Sequence, residues 1–201
     1  MVTEAWYFLF PLLLAGTLFA WFGFYIPLAA TGVLAGFTAY FFRDPERVVP
    51  SDSDAIVSPA DGRVVRIQRS DAGVRISIFL SPLDVHVNRA PISGVVERKE
   101  HRPGRFIAAY HPEASIENEQ VVIGLGDGRR RIEFALIAGI VARRIRPWRK
   151  LGDRVNKGDR MALIRFGSRA DVMLPPGCSL EVREKDRVYA GSSIIARWKD
   201  L

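Results

Sequence analysis

The residues best suited to chemistry lie in a short polar segment that follows a proline-marked turn. Asp84, His86 and Asn88 alternate along this segment, and Arg89 comes directly after them. An imidazole titrates close to neutral pH, so a histidine can both accept and donate a proton during a reaction. Because this cluster is too polar for ordinary core packing, we interpret His86 as a candidate general acid or base.

The other two histidines and the single cysteine suggest less chemistry. His101 and His111 lie in loop sequence rich in Arg, Pro and Gly, where an exposed histidine is expected. Cys178 is the only cysteine, which excludes a disulfide framework and a Cys-rich metal site. The sequence also lacks the HExxH spacing of a zinc peptidase. We therefore predict a site without a metal ion.

A long apolar segment precedes the polar part of the chain. No charged residue occurs between Glu4 and Arg43. A single helix over this segment would be roughly 57 Å long, nearly twice the ~30 Å hydrocarbon thickness of a bilayer. Pro27 disfavours helical geometry in the residue before it, so the helix should break around Gly23 to Pro27. We predict two apolar helices, 6–22 and 26–42, that form a hairpin over residues 1–42.

This hairpin is predicted to lie in a membrane. A cleaved signal peptide is disfavoured because Glu4 is the only charge ahead of the apolar run. A buried helical hairpin of a soluble protein is the other alternative. Arg43 and Arg47 follow the second helix, so the positive-inside rule keeps both ends of the hairpin in the cytoplasm. The hairpin ends also carry the aromatic residues of an interfacial belt: Trp6, Tyr7, Tyr40, Phe41 and Phe42.

The rest of the chain is basic and rich in arginine. The whole sequence has a formal net charge of +7, and its 29 basic residues all lie after residue 42. Guanidinium groups bind phosphate and carboxylate in a bidentate way, which favours an anionic phospholipid as the partner. Nucleic acid is the alternative partner, but the cluster Arg129–Arg131 lacks interleaved stacking aromatics. We predict no nucleic-acid partner.

Short β-branched segments separated by Gly, Pro and Asp make up the chain after residue 42. Their close spacing predicts one mainly β domain, 43–201, with a barrel or sandwich architecture. The predicted strands are Ala55–Val57, Gly62–Gln68, Val74–Leu80, Gly94–Lys99, Gln120–Leu125, Arg131–Ala138, Met161–Phe166, Asp171–Leu174, Ser179–Val182 and Ser193–Trp198.

One short pattern occurs twice in this domain. The segment Asp153–Gly158 has the pattern D-R-V-x-x-G, which returns in Asp186–Gly191, and a predicted strand follows each copy. This arrangement resembles the hairpin sandwiches of biotinyl and lipoyl carrier domains, and Ser58–Val65 resembles their first strand. Neither Lys157 nor Lys185 lies in a recognisable attachment sequence. The pattern therefore predicts the shape of such a domain without its carrier function.

Six short strings together resemble the phosphatidylserine decarboxylase family in its short bacterial and archaeal form. They occur in the order expected of that family and cover nearly the whole chain, including the apolar N-terminus. The strings are Phe42–Arg47, Ser58–Gly62, Phe79–Arg89, Glu117–Glu119, Phe166–Ser168 and Ala190–Ser193.

The resemblance implies a proenzyme that cuts its own chain. Members of this family cleave a Gly-Ser bond and convert the serine into an N-terminal pyruvoyl group, which forms a Schiff base with the amine of the substrate. Gly191-Ser192 matches that bond, so cleavage would give a large β chain, 1–191, and a small α chain, 192–201. The cofactor implied is this pyruvoyl group, derived from Ser192, with no metal.

The resemblance also assigns roles to other residues. Asp61 matches the family aspartate that, with a histidine, activates the serine, and His86 matches that histidine. Phe166, Gly167 and Ser168 match a string whose role is substrate contact.

Arg89, which we also place among the substrate contacts, marks a departure from the longer bacterial members. Those carry a second histidine at this position. Either His86 therefore serves both self-cleavage and decarboxylation, or His101 or His111 takes one of the two roles.

The combined prediction is a self-processing enzyme that decarboxylates phosphatidylserine to phosphatidylethanolamine at the cytoplasmic face of the cell (inner) membrane. The resemblance further implies a homodimer. An ether-lipid substrate of the archaetidylserine type is one alternative, because the headgroup chemistry is the same. A membrane-anchored binding or adaptor protein with a biotinyl/lipoyl-like domain is the alternative from a different class.

Overall fold

The computed structural model describes residues 1–109, 111, 113–139, 145–165 and 168–199. Within these residues the chain divides into two compact units, 1–46 and 47–201. The first unit is helical and the second consists mainly of β-strands.

Two apolar helices make up most of the first unit. A short 3-10 helix, Thr3–Ala5, leads into α1, Trp6–Trp21, and α2 spans Tyr25–Phe41. Gly23, with a φ of +72°, lies in the link between α1 and α2. The predicted helical pair is confirmed, and its break falls within the predicted range, Gly23 to Pro27.

The length and composition of these helices bear on membrane crossing. The helical segment Thr3–Trp21 is long and apolar enough to span a bilayer, whereas Tyr25–Phe41 is shorter. This is weak support for membrane association, because a signal sequence near an N-terminus has the same properties.

Fourteen strands and one short helix are assigned among the described residues of the second unit. The helix, α3, is a single turn over Ala114–Glu117. In chain order the strands are β1 Ala55–Val57, β2 Gly62–Ser70, β3 Gly73–Leu80, β4 Val87–Arg89, β5 Gly94–Arg102, β6 Gln120–Gly126, β7 Arg131–Ile137, β8 Ile145–Pro147, β9 Arg154–Val155, β10 Arg160–Ile164, β11 Ser168–Leu174, β12 Cys178–Leu180, β13 Arg187–Val188 and β14 Ile194–Trp198.

These strands form three antiparallel sheets. The largest has the order β13-β2-β3-β11-β7-β6-β5-β9, and the two small sheets have the orders β1-β14-β12 and β4-β10-β8. This architecture confirms the predicted mainly β class with a preceding helical pair. The ten predicted strands are present with ends shifted by a few residues, while β4, β8, β9, β13 and the helix α3 were missed. Elements of two to four residues are too short to show a periodic pattern.

The strand order has an approximate two-fold symmetry that the repeated pattern in the sequence anticipates. In the large sheet, β13 corresponds to β9, β2 to β5, β3 to β6 and β11 to β7, and the two small sheets correspond to each other. Each copy of the pattern forms a two-residue strand at an edge of the large sheet. Val155 pairs with Gly94, and Val188 pairs with Gly62 in the same way. The second unit is therefore built from two similar halves.

One hydrophobic cluster holds the three sheets together. It contains fully buried side chains from each sheet, among them Ile56 of β1, Ile78 of β3, Phe134 of β7 and Ile164 of β10. Burial of one such side chain contributes about 1.5–3 kcal/mol to folding. The short strands next to the candidate site are therefore fixed by a core that they share with the large sheet.

Candidate functional site

The predicted Gly-Ser bond lies in a tight turn between β13 and β14. The amide of Ser192 donates a hydrogen bond to the carbonyl of Tyr189 at 3.1 Å, and Gly191 has a φ of +74°. A positive φ at the third residue of a turn is characteristic of type II, and glycine adopts it without strain. We call Tyr189–Ser192 the Gly191 turn.

A second reason for glycine at this position is the close approach of neighbouring chain. A Cβ atom on Gly191 would lie 2.9 Å from Cδ of Arg89 and 3.3 Å from Cα of Gly158. Arg89 is buried, and its Nη1 donates a 3.0 Å hydrogen bond to the carbonyl of Gly158. The structure therefore brings Arg89 directly against the predicted cleavage site.

Backbone hydrogen bonds hold the Gly191 turn against the segment before β2. Ser58 accepts a 2.8 Å bond from the amide of Gly191 and donates another to the carbonyl of Ser193. The Ser193 hydroxyl accepts a 2.9 Å bond from the amide of Tyr189. For Ser192, by contrast, no side-chain hydrogen bond is found within the described part of the chain. Of the two adjacent serines, Ser193 is therefore the one whose hydroxyl takes part in the hydrogen bonds of the turn.

Asp61 is the carboxylate that the structure brings to this turn. Its side chain is buried, and Oδ1 accepts a 2.8 Å hydrogen bond from the amide of Ala190. Both carboxylate oxygens also accept bonds of 2.9 Å from Nη2 of Arg47. Burial raises the pKa of Asp61, while the Ala190 amide and the Arg47 charge act to lower it. Sequence reasoning placed Arg47 only at the membrane boundary and missed this contact.

The symmetric half of the domain contains a matching turn with different side chains. In this Gly158 turn, Asn156–Asp159, the amide of Asp159 donates to the carbonyl of Asn156 at 3.0 Å, and Gly158 has a φ of +85°. The amide of Lys157 donates a 2.9 Å bond to the hydroxyl of Ser93. Ser93 therefore takes the structural place of Asp61, and Asp159 takes the place of Ser192.

The comparison of the two turns distinguishes a structural role of the Asp61 side chain from a chemical one. A neutral hydroxyl at Ser93 is sufficient to accept the amide hydrogen bond that supports such a turn. A carboxylate buried in the same place is costly unless it is paired. The charge of Asp61 is therefore not needed to form the Gly191 turn, which favours a chemical role.

His86 lies in the link between β3 and β4 and is fully buried. Its Nδ1 is 2.9 Å from the carbonyl oxygen of Asp84, so we assign the proton to Nδ1 and leave Nε2 as the basic nitrogen. Asp84 also accepts a hydrogen bond from Arg187, whose guanidinium lies 5.8 Å from the ring of Tyr189. Arg187 thus connects the link that carries His86 to the Gly191 turn.

The expected pairing of Asp61 with His86 is not a direct contact here. Among the described residues, the hydrogen bonds of the Asp61 side chain go to Arg47 and Ala190. The two residues expected to replace His86 if needed, His101 and His111, are more than half exposed. Their side chains lie 3.3 Å from Glu119 and 3.9 Å from Glu113, respectively.

The predicted substrate contacts can be located in part. Ser168 begins β11 and is fully buried, and its hydroxyl has no hydrogen-bond partner among the residues that the structure describes. Phe166 and Gly167 lie outside the described residues. Among the described residues, no three His, Cys, Asp or Glu side chains lie close enough together to hold a metal ion.

We expect replacement of His86 by alanine to impair both self-cleavage and decarboxylation. Loss of a general acid or base slows a reaction by about 10²–10⁴-fold. The half-time of chain cleavage and the rate of CO2 release would be measured separately, with the exposed His101→Ala variant as control. Normal cleavage without turnover would restrict His86 to decarboxylation, and normal rates of both would show that the assignment is wrong.

Comparison with known proteins places the chain in a family. The family model described as phosphatidylserine decarboxylase matches residues 34–196. The phosphatidylserine decarboxylase proenzyme of Salinibacter ruber is 46% identical over 187 residues, which cover 88% of this chain and 82% of that protein. The corresponding proenzyme of Solibacter usitatus is 43% identical over 203 residues, which cover 100% and 98%. This chain belongs to the phosphatidylserine decarboxylase family.

Proposed function

We propose that the chain is a precursor that cleaves itself between Gly191 and Ser192 and then decarboxylates phosphatidylserine to phosphatidylethanolamine and CO2. The observation that carries this proposal is the buried carboxylate of Asp61, which binds the amide of the residue before Gly191. Family membership supports the decarboxylation, since the relatives are named as decarboxylase proenzymes.

Self-cleavage begins with attack of the Ser192 hydroxyl on the carbonyl carbon of Gly191. The C–N bond breaks, and an ester and a free amine form as the proton of the hydroxyl passes through a base to the nitrogen. A base then removes the α-proton of residue 192, and β-elimination breaks the ester C–O bond, so that the Gly191 carboxylate leaves and a dehydroalanine forms. One water hydrolyses the resulting enamine, releases ammonia and leaves a pyruvoyl group at position 192.

The chain's own residues have distinct roles in this scheme. Asp61 and His86 are the proposed groups that move the proton of Ser192, and His86 is proposed to protonate the carbanion after CO2 leaves. A pyruvoyl group at position 192 would supply the electron sink that decarboxylation requires. Arg89 and Ser168 are the proposed substrate contacts, since one lies against Gly191 and the other has a buried hydroxyl without a partner in the described residues.

Mass spectrometry of the purified protein tests this proposal. We expect two chains, 1–191 and 192–201, and the small chain should lack a free amino terminus and react with a carbonyl reagent. The same preparation should release CO2 from phosphatidylserine and form phosphatidylethanolamine. An intact chain with a serine at position 192 would contradict self-processing, and a binding or adaptor protein would give that result.

We also propose that the helical pair brings the enzyme to a bilayer that contains its anionic substrate, on the cytoplasmic side of the cell membrane. The apolar helices and the basic second unit support this location. The homodimer implied by the resemblance remains a prediction.

Deletion of residues 1–42 is expected to leave self-cleavage intact but to reduce decarboxylation of substrate in vesicles. Arg47, Asp61 and the Gly191 turn all lie in the second unit, so the cleavage groups are retained. Chain cleavage would be followed on gels, and CO2 release would be compared between vesicles and detergent-dispersed substrate. In the truncated protein, CO2 release should be slower from vesicles than from detergent-dispersed substrate. In the full chain, the two rates should be similar. A truncated chain that stays uncut would show that the helical pair is needed for processing.

A further inference from the structure

We propose that Arg47 is a positioning residue for self-cleavage, which aims the carboxylate of Asp61 at the Gly191 turn and keeps it charged. This inference rests on the proposed self-cleavage and names a residue that acts through Asp61 rather than on the reacting atoms. Arg47 ends the first of the six family-like strings, but nothing in that string connects it with Asp61.

The contact between Arg47 and Asp61 is buried and well formed. Nη2 of Arg47 lies 2.9 Å from each carboxylate oxygen, and the two side chains are 10% and 6% exposed. A cation held in this way restrains rotation of the carboxylate about its Cβ–Cγ bond. Oδ1, the oxygen that accepts the amide of Ala190, is therefore held in place from both sides.

Arg47 also lies near the first residue of the Gly191 turn. Its guanidinium carbon is 5.9 Å from the centre of the Tyr189 ring, within the range of a cation–π contact. Arg187 lies 5.8 Å from the same ring. The guanidinium of Arg47 thus contacts both the carboxylate of Asp61 and the Tyr189 ring in the turn that this carboxylate supports.

Stability alone does not explain why an arginine is buried here. Desolvation of a buried ion pair offsets most of its attraction, so a buried pair is weak support for a stabilising role. Nε of Arg47 is buried and has no hydrogen-bond partner among the described residues, which adds a further cost. In the Gly158 turn the neutral hydroxyl of Ser93 supports the same backbone without needing a counter-ion.

The charges around Asp61 explain what Arg47 contributes to the reaction. Burial raises the pKa of Asp61, and the negative charge of Asp84 raises it further, whereas the positive charge of Arg47 lowers it. Arg187, which is hydrogen bonded to Asp84, is a further charged group near Asp61. Without Arg47 the carboxylate would remain protonated to higher pH, so a smaller fraction of it would be available as a proton acceptor.

The test is the pH dependence of self-cleavage in the full chain. Wild type, Arg47→Met and Arg47→Lys would be made by a short cell-free translation pulse, and cleavage would be followed during a chase between pH 5 and pH 9. Arg66, which is exposed on β2, provides the matched control Arg66→Met. Circular dichroism and protease resistance of each purified chain would report folding.

We expect Arg47→Met to cleave at least tenfold more slowly than wild type at pH values below the wild-type midpoint. The midpoint of its pH profile should rise by about 1–3 units, since an adjacent cation lowers a carboxyl pKa by this amount. Its rate should approach that of wild type at high pH. Arg47→Lys should keep the wild-type midpoint, because lysine restores the charge, and Arg66→Met should match wild type.

Three results would overturn the inference. One is a wild-type rate and profile for Arg47→Met. Another is a folded Arg47→Met chain that is slowed by the same factor at every pH, with Arg47→Lys no faster, which would indicate a merely structural role. The third is a wild-type chain that never cleaves, and that result alone would also contradict the proposed function.

Discussion

The Ser192→Ala variant is expected to accumulate as a single uncut chain without decarboxylase activity. Ser192 would supply both the nucleophile for cleavage and the atoms of the pyruvoyl group, so its hydroxyl cannot be replaced by a neighbouring residue. Intact mass and CO2 release from phosphatidylserine measure the two losses. Chain cleavage and CO2 release should both fall below detection rather than decrease by a modest factor.

Ser193→Ala is the matched control for this experiment. The hydroxyl of Ser193 accepts a hydrogen bond from the amide of Tyr189, so its loss should cost about 1 kcal/mol of stability without removing the nucleophile. We expect this variant to cleave at the same bond. If Ser192→Ala still yields two chains while Ser193→Ala does not, the cleavage site lies one residue later than proposed.

Asp61→Ser is expected to keep the fold of the Gly191 turn and to slow self-cleavage by about 10²–10⁴-fold. Serine is the residue that the Gly158 turn uses at the equivalent position, where its hydroxyl accepts the amide of Lys157. The substitution therefore preserves the amide hydrogen bond but removes the charge, and it lowers the stability of the uncut chain because the buried guanidinium of Arg47 loses its partner. Cleavage half-times and thermal unfolding of the uncut chain would be measured in parallel.

Ser93→Ala serves as the control for Asp61→Ser. It removes an acceptor of the same kind from the Gly158 turn, so it should lower stability without altering the cleavage half-time. Rapid cleavage of a folded Asp61→Ser chain would show that the carboxylate is not required. His86 alone would then be the base that acts on Ser192.

Much of the fold could be predicted because its signals are local. The apolar run up to residue 42 and the β-branched segments after it each show a pattern within a few residues. The two-residue strands β9 and β13 show no such pattern, since they exist only because Val155 and Val188 pair with the first residues of β5 and β2. Pairing between distant segments is not visible in a single sequence.

The candidate site shows the same limit. Gly191, Ser192, Asp61 and His86 could be named because each lies in a short string typical of the family. The contact of Arg47 with Asp61 depends on how the segment before β1 packs, and no local pattern reports that packing. The resemblance pairs Asp61 with His86, whereas the hydrogen bonds of the Asp61 side chain within the described residues go to Arg47 and Ala190, and no short string reports such contacts.

The position of β14 has a consequence for the reversibility of unfolding. β14 is the middle strand of its sheet and is hydrogen bonded to β1 on one side and β12 on the other. If the bond before Ser192 is cut as proposed, this strand would belong to a separate peptide that only non-covalent contacts retain. An unfolded, processed molecule must recapture that peptide in a bimolecular step, so recovery falls on dilution, whereas the uncut precursor refolds within one chain. Processing would therefore convert a reversible folding equilibrium into an assembly whose lifetime is set by its rate of opening.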